Sequence, residues 1–122
     1  MKFNHIYLFL LIFLSGCASV VPKDYAAESA ELDLAQYFKG TIDAWGMFQD
    51  RSGKVVKRFT VVIDAKWNGN VGTLDEDFTY SDGTKDRRVW TITKLGPHEY
   101  SGKAGDVVGS AVGEAYGNAL NW

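Results

Sequence analysis

The side chains able to do chemistry in this 122-residue chain are few and scattered. The densest acidic stretch is Asp75-Glu76-Asp77, with Arg88 further along. Glu76 and Arg88 together admit two uses. One is a charged group inside a pocket that orients the polar head of a ligand. The other is a structural ion pair that fixes strand register, with Asp75 and Asp77 simply solvated. The acidic run suits a metal poorly. A Ca²⁺ loop of the EF-hand kind draws oxygen ligands from about 12 residues around a central glycine, whereas alternation along a strand sends neighbouring carboxylates to opposite faces. His98, after Pro97, is the only histidine besides His5 near the N-terminus. A lone histidine does not make a typical zinc site, and no Gly-x-Ser-x-Gly elbow offers a serine for it to activate. The expectation is a non-enzymatic protein with no metal and no other cofactor. The residues expected to bind a ligand are Glu76, Arg88, Trp90, Trp45 and Phe78.

These residues need strands to position them. Aromatics make up 14% of the chain and glycine is plentiful, with only two prolines; this composition leans towards an all-β domain. Strands are predicted at Thr41–Gln49, Lys54–Trp67, Val71–Tyr80 and Thr84–Thr93. Further ones, with less definite edges, are placed at His98–Gly102, Asp106–Val112 and Tyr116–Trp122. In the longest, Phe59, Val61, Ile63, Ala65 and Trp67 share one face by the period-two rule, and Arg58, Thr60, Asp64 and Lys66 the other. A three-residue loop at Ser81–Gly83 pairs Tyr80 with Thr84. Counting back sets Phe78 opposite Asp86, Glu76 opposite Arg88 and Leu74 opposite Trp90. Glu76 then shares the face of Leu74, Phe78 and Tyr80 and points inward. Strands at this spacing with short turns predict an antiparallel meander. Its edges must be covered or closed, so the expected fold is an up-and-down barrel or an incomplete half-barrel.

Two glycine- and helix-like features have alternatives. Gly105, Gly109, Gly113 and Gly117 recur every four residues, as in a membrane glycine zipper. Asp106, Glu114 and Asn118 inside the stretch favour strands with tight bends instead. Glu31–Phe38 forms a short N-terminal helix in which Leu34, Tyr37 and Phe38 share one face. It either plugs a barrel mouth or lies as an arm on the sheet.

The N-terminus is the most informative stretch for location. Lys2 precedes Ile6–Leu14, an unbroken apolar run. A bilayer core needs about 20 apolar residues to span, so this run fits a signal peptide rather than a membrane helix. Leu14-Ser15-Gly16-Cys17 resembles a bacterial lipobox. That resemblance implies removal of residues 1–16, acylation of Cys17, the sole cysteine, and several acyl chains that hold the protein stably. Ala18 in place of an aspartate implies the outer membrane, facing the periplasm. Residues 17–30 read as lipidated N-terminus and linker, and 31–122 as the β-barrel-like domain. Loss of Lys2 takes the net charge from −2 to −3. No basic stripe is present to meet a polyanion, so nucleic acid is not an expected partner.

Several motifs together resemble a family of uncharacterised proteobacterial lipoproteins, DUF3833. They are Tyr37-Phe38-Lys39-Gly40, Ala44-Trp45-Gly46-Met47-Phe48-Gln49-Asp50-Arg51, Arg58-Phe59-Thr60, Leu74-Asp75-Glu76-Asp77-Phe78, Arg88-Val89-Trp90, Asp106-Val107-Val108-Gly109 and Gly117-Asn118-Ala119-Leu120-Asn121-Trp122. The resemblance implies a lipocalin- or calycin-like β-fold anchored to a membrane, and brings no assigned activity. Members continue past the Asn-Trp pair, which implies a shortened chain and an incomplete barrel here. The expected function is a binding module for a small apolar or amphipathic, lipid-like ligand. The alternative is a structural lipoprotein with a filled core that docks an envelope protein through a sheet edge.

Overall fold

Period-two alternation curls one antiparallel sheet into a half-barrel. The computed structural model describes residues 18–122; the expected signal segment and Cys17 lie outside the described residues. Seven strands follow in chain order: β1 (Gly40–Gln49), β2 (Val55–Asn68), β3 (Val71–Tyr80), β4 (Lys85–Lys94), β5 (Glu99–Lys103), β6 (Ala111–Tyr116) and β7 (Ala119–Asn121). Each pairs with its neighbours in sequence, in the order β1-β2-β3-β4-β5-β6-β7. This is the meander that the turn spacing predicts. Its central register is the one obtained by counting: Leu74 faces Trp90, Glu76 faces Arg88 and Phe78 faces Asp86.

The turns explain why this register holds. At the β1–β2 turn the Asp50 carboxylate accepts hydrogen bonds from the backbone N–H groups of Ser52 (2.9 Å) and Lys54 (3.0 Å). At the β3–β4 turn Asp82 does the same for Thr84 N–H (2.9 Å), and its other oxygen lies 3.0 Å from Lys57 Nζ. Such aspartate turns compete with strand pairing and so set where each strand stops.

The inward residues of β2 and β3 build the core. Val61, Ile63, Ala65 and Leu74 are buried, together with Ile92 of β4, Tyr100 of β5 and Ala115 of β6. The last member is Leu34 of helix α1 (Leu34–Tyr37). Asp33 starts this single turn by accepting from the N–H groups of Ala35 (2.9 Å) and Gln36 (3.3 Å). Lys94 Nζ ties Asp33 to β4 at 3.0 Å, and Trp67 Nε1 donates to the Phe38 carbonyl at 2.9 Å. Burying a side chain such as Leu34 is worth about 1.5–3 kcal/mol. That supports a helix far too short to be stable alone. The shared face predicted for it breaks at Tyr37, which points to solvent.

Three further expectations change. Asp106–Val112 is mainly a loop, and β6 begins only at Ala111. Gly109 adopts φ +75°, which a continuing strand does not use, and Val107 N–H turns back to the Ala104 carbonyl at 3.1 Å. The run from Tyr116 to Trp122 is broken at Gly117-Asn118, between β6 and β7. The expected linker is partly folded: Pro22–Tyr25 form a 3-10 turn packed on β6 and β7, with Pro22 buried.

Candidate functional site

The concave face of the half-barrel encloses a groove of about 450 Å³. Alternation supplies its wall: Phe59 and Val61 from β2, Leu74, Glu76, Phe78 and Tyr80 from β3, and Arg88, Trp90 and Ile92 from β4. Phe48 joins from β1, and Leu120 and Trp122 from the C-terminal end. Leu34 of the short helix and Phe38, which caps it, also line the groove.

Charge is concentrated midway along this wall. In register, Ile63, Glu76 and Arg88 form one row across three strands. On one side of the row stand Val61, Phe78, Phe59 and Tyr80; on the other stand Leu74, Trp90 and Ile92. The Phe59 ring packs against Phe48 and Phe78 with centroids 5.3 Å apart in each case. Trp90 meets Trp122 edge to face at 5.6 Å. The groove is thus apolar at both ends, with a carboxylate and a guanidinium between.

Glu76 and Arg88 do not form the structural ion pair that was one of the two readings. Arg88 turns instead to Asp106 in the β5–β6 loop. Its Nη2 lies 2.7 Å and its Nε 3.0 Å from the same carboxylate oxygen. The guanidinium also lies over the rings of Phe78 (5.7 Å) and Trp90 (6.0 Å), within reach of cation–π attraction. Glu76 is half-buried and, among the described residues, receives no hydrogen bond or ion pair. Burial raises its pKa above the ordinary carboxylate value, Arg88 pulls it down, and Asp106 pushes it up again.

Glycines keep the groove from filling with its own aromatics. Gly46 stands opposite Phe59 across β1 and β2. A Cβ at Gly46 would run into the Phe59 ring, and one at Gly102 or Gly113 into the Trp122 indole. Each ring lies flat over backbone instead of standing up from the sheet. The four-residue glycine spacing therefore reports, in part, a seat for an aromatic ring.

The expected site residues separate. Glu76, Arg88, Trp90 and Phe78 all line the groove. Trp45 does not: it pairs with Thr60 on the outer face, is 75% exposed, and borders a second depression of about 390 Å³. The cause is parity, since the inward places on either side of it belong to Ala44 and Gly46. Asp75 is not simply solvated; Arg87 grips it through both oxygens on the outer face at 2.5 and 2.8 Å. His98 has a structural position, with Nδ1–H donating to the Ala115 carbonyl at 2.8 Å and its ring stacked on Tyr116. Of the groove residues that sequence reading did not single out, Phe48, Phe59 and Tyr80 follow from extending the parity of Glu76. Asp106 had no such signal, because it sits in an irregular loop.

Comparison with known families matches residues 11–122 to the family described as "Protein of unknown function (DUF3833)", and the chain belongs to it. No curated protein and no solved structure matches the chain.

Proposed function

We propose that this DUF3833 protein is a non-enzymatic binding module. It holds a small apolar or amphipathic, lipid-like ligand in the groove while acyl chains on Cys17 keep it at the periplasmic face of the outer membrane. The observation that carries this reading is the groove itself. At about 450 Å³ it falls within the roughly 300–1,000 Å³ typical of small-molecule sites, and its apolar wall with few polar groups is the usual composition. A lipoprotein that served only to dock a partner would have no need to seat its rings on glycines and keep this space clear. The open outer edge of β1, with Trp45 and Met47 exposed, is the feature that speaks for the docking alternative.

The packed Pro22–Tyr25 turn bears on the anchor. Val21 caps the turn, its N–H and carbonyl both bonded to Asp24 at 3.0 Å, which leaves residues 18–20 as tether, and three residues span at most roughly 11 Å. With acyl chains on Cys17, the β6–β7 side of the sheet would rest close to the lipid headgroups.

Native mass spectrometry of the purified chain tests the binding reading. A co-purified small amphiphile that is lost on denaturation is expected; a clean apo mass, with no uptake of any added single-chain amphiphile, would refute it. Labelled palmitate entering the parent but not Cys17→Ser tests the anchor.

A further inference from the structure

Three ionisable groups converge on the middle of the groove, and they are not equivalent. Arg88 has already committed Nε and Nη2 to Asp106, at 3.0 and 2.7 Å, and its flat face covers Phe78 and Trp90. Glu76 faces the same space with no partner among the described residues. The three formal charges sum to one negative, and that negative charge belongs to the group still free to bind.

From this geometry we infer that the occupant carries an ammonium head on a single apolar chain, with the ammonium seated against Glu76. The inference rests on the binding reading above and names the ligand class for that same groove. A carboxylate or phosphate head would face the like charge of Glu76. The one cation in reach, Arg88, is already neutralised by Asp106, so such a head would either share the guanidinium's remaining N–H groups with that carboxylate or displace it. An ammonium meets neither obstacle. It offers three N–H donors to a lone carboxylate, and charge-assisted bonds of this type are the strong ones. It also offsets the burial that makes Glu76 costly to ionise in the free protein.

The size and shape fit. A volume near 450 Å³ holds roughly 15 units of about 30 Å³ each, room for a chain of about ten carbons with its head. Apolar wall lies on both sides of the charged row, so a chain can run from Glu76 towards either the Phe48–Phe59–Phe78 end or the Trp90–Trp122 end. Matching Glu76 to the head group leaves no other charge on the wall without a partner.

The test compares three single-chain amphiphiles of equal length, decylammonium, decanoate and decanol. Each is titrated below its micelle concentration into the full chain stripped of co-purified lipid, at neutral pH, by calorimetry. Decylammonium is expected to bind about tenfold or more tighter than decanoate, a gap of about 1.4 kcal/mol or more, with decanol between them. Glu76→Gln, which keeps the side chain's shape, should bring decylammonium down to the decanol affinity. Asp106→Asn lies in an exposed loop and frees Arg88; it should tighten decanoate. Decanoate binding the parent as tightly as decylammonium would overturn the inference and leave the binding reading standing, as would a Glu76→Gln variant that keeps the ammonium preference. If none of the three binds the parent, the binding reading itself fails, and the inference with it.

Discussion

Replacing Gly46 with valine tests whether glycine seats keep the groove open. In the parent, Gly46 lies directly opposite Phe59, and the space a Cβ would take is filled by the Phe59 ring. A valine there must push the ring up into the groove, against Phe48 and Phe78. Overpacking of this kind costs about 1–3 kcal/mol. Removing a strand glycine returns about 0.5–1 kcal/mol, so the expected net loss is about 1–2 kcal/mol. At roughly 4–8 °C per kcal/mol for a domain near this size, the melting temperature should fall by about 5–15 °C. Urea denaturation of Gly46→Val, Phe59→Ala and the double variant closes a cycle. With the ring gone the overpacking term vanishes while the glycine gain stays, so the double variant should be about 1–3 kcal/mol more stable than the sum of the singles predicts. Additivity within about 0.5 kcal/mol would show that the two sites do not touch and would refute the argument. Gly46→Val should also weaken binding of any groove ligand, because the displaced ring occupies its space.

Leu34→Ala should cost about 2–4 kcal/mol in urea denaturation and strip amide-exchange protection from α1 before the sheet loses any; a loss below about 1 kcal/mol would mean that Leu34 does not anchor the helix to the core. Asp82 is held at about 2 by hydrogen bonds from the Thr84 hydroxyl and backbone N–H, and by Lys57. Its depressed folded value means that the stability it contributes is complete above the ordinary 3.8 and is lost as pH falls through about 2. In Thr84→Ala its carboxyl midpoint, followed by NMR, should move up towards 3.8; an unmoved midpoint would discount the turn. Glu76 has the opposite sign. Its folded pKa is raised, so its contribution is complete below the ordinary 4.5 and is lost as pH rises through the folded value. Glu76→Gln should therefore be the more stable protein at pH 7 and lose that advantage in acid; a less stable variant at pH 7 would mean that the carboxylate has a partner.

How much of this was legible in the sequence follows from the period of two. Once Phe59, Val61 and Ile63 share a face and a short loop pairs Tyr80 with Thr84, the register fixes Glu76 opposite Arg88 and turns Glu76, Phe78 and Trp90 inward together. Strand lengths and the meander come from the same counting. Trp45 shows that residue type alone does not locate a side chain: an aromatic suits a ligand site, but its parity against Thr60 puts this one on the outer face. The loop at Asp106 was hidden for a different reason. The valines of Asp106–Val112 read as strand, and only the conformation of Gly109 and the Arg88 contact reveal the bend. The partner of Arg88 is likewise set by tertiary approach of that loop, which no local pattern encodes.

The open groove also sets a condition on the free protein's stability. Rings that lie flat on glycine backbone bury one face and leave the other to water, so part of the apolar wall stays wet until something covers it. A ligand that binds only the folded chain adds stability in proportion to occupancy, about 2.7 kcal/mol at a hundredfold excess over its dissociation constant. Over the size range used above, that would raise the melting temperature by roughly 10–20 °C. Protein carrying co-purified ligand should therefore melt well above the same protein after stripping, and readdition should restore the difference. The Gly46→Val protein, its groove already occupied by Phe59, should show a smaller rise or none. If stripped and unstripped parent melt together although ligand is present by mass, the ligand lies elsewhere, and the concave wall is not where it binds.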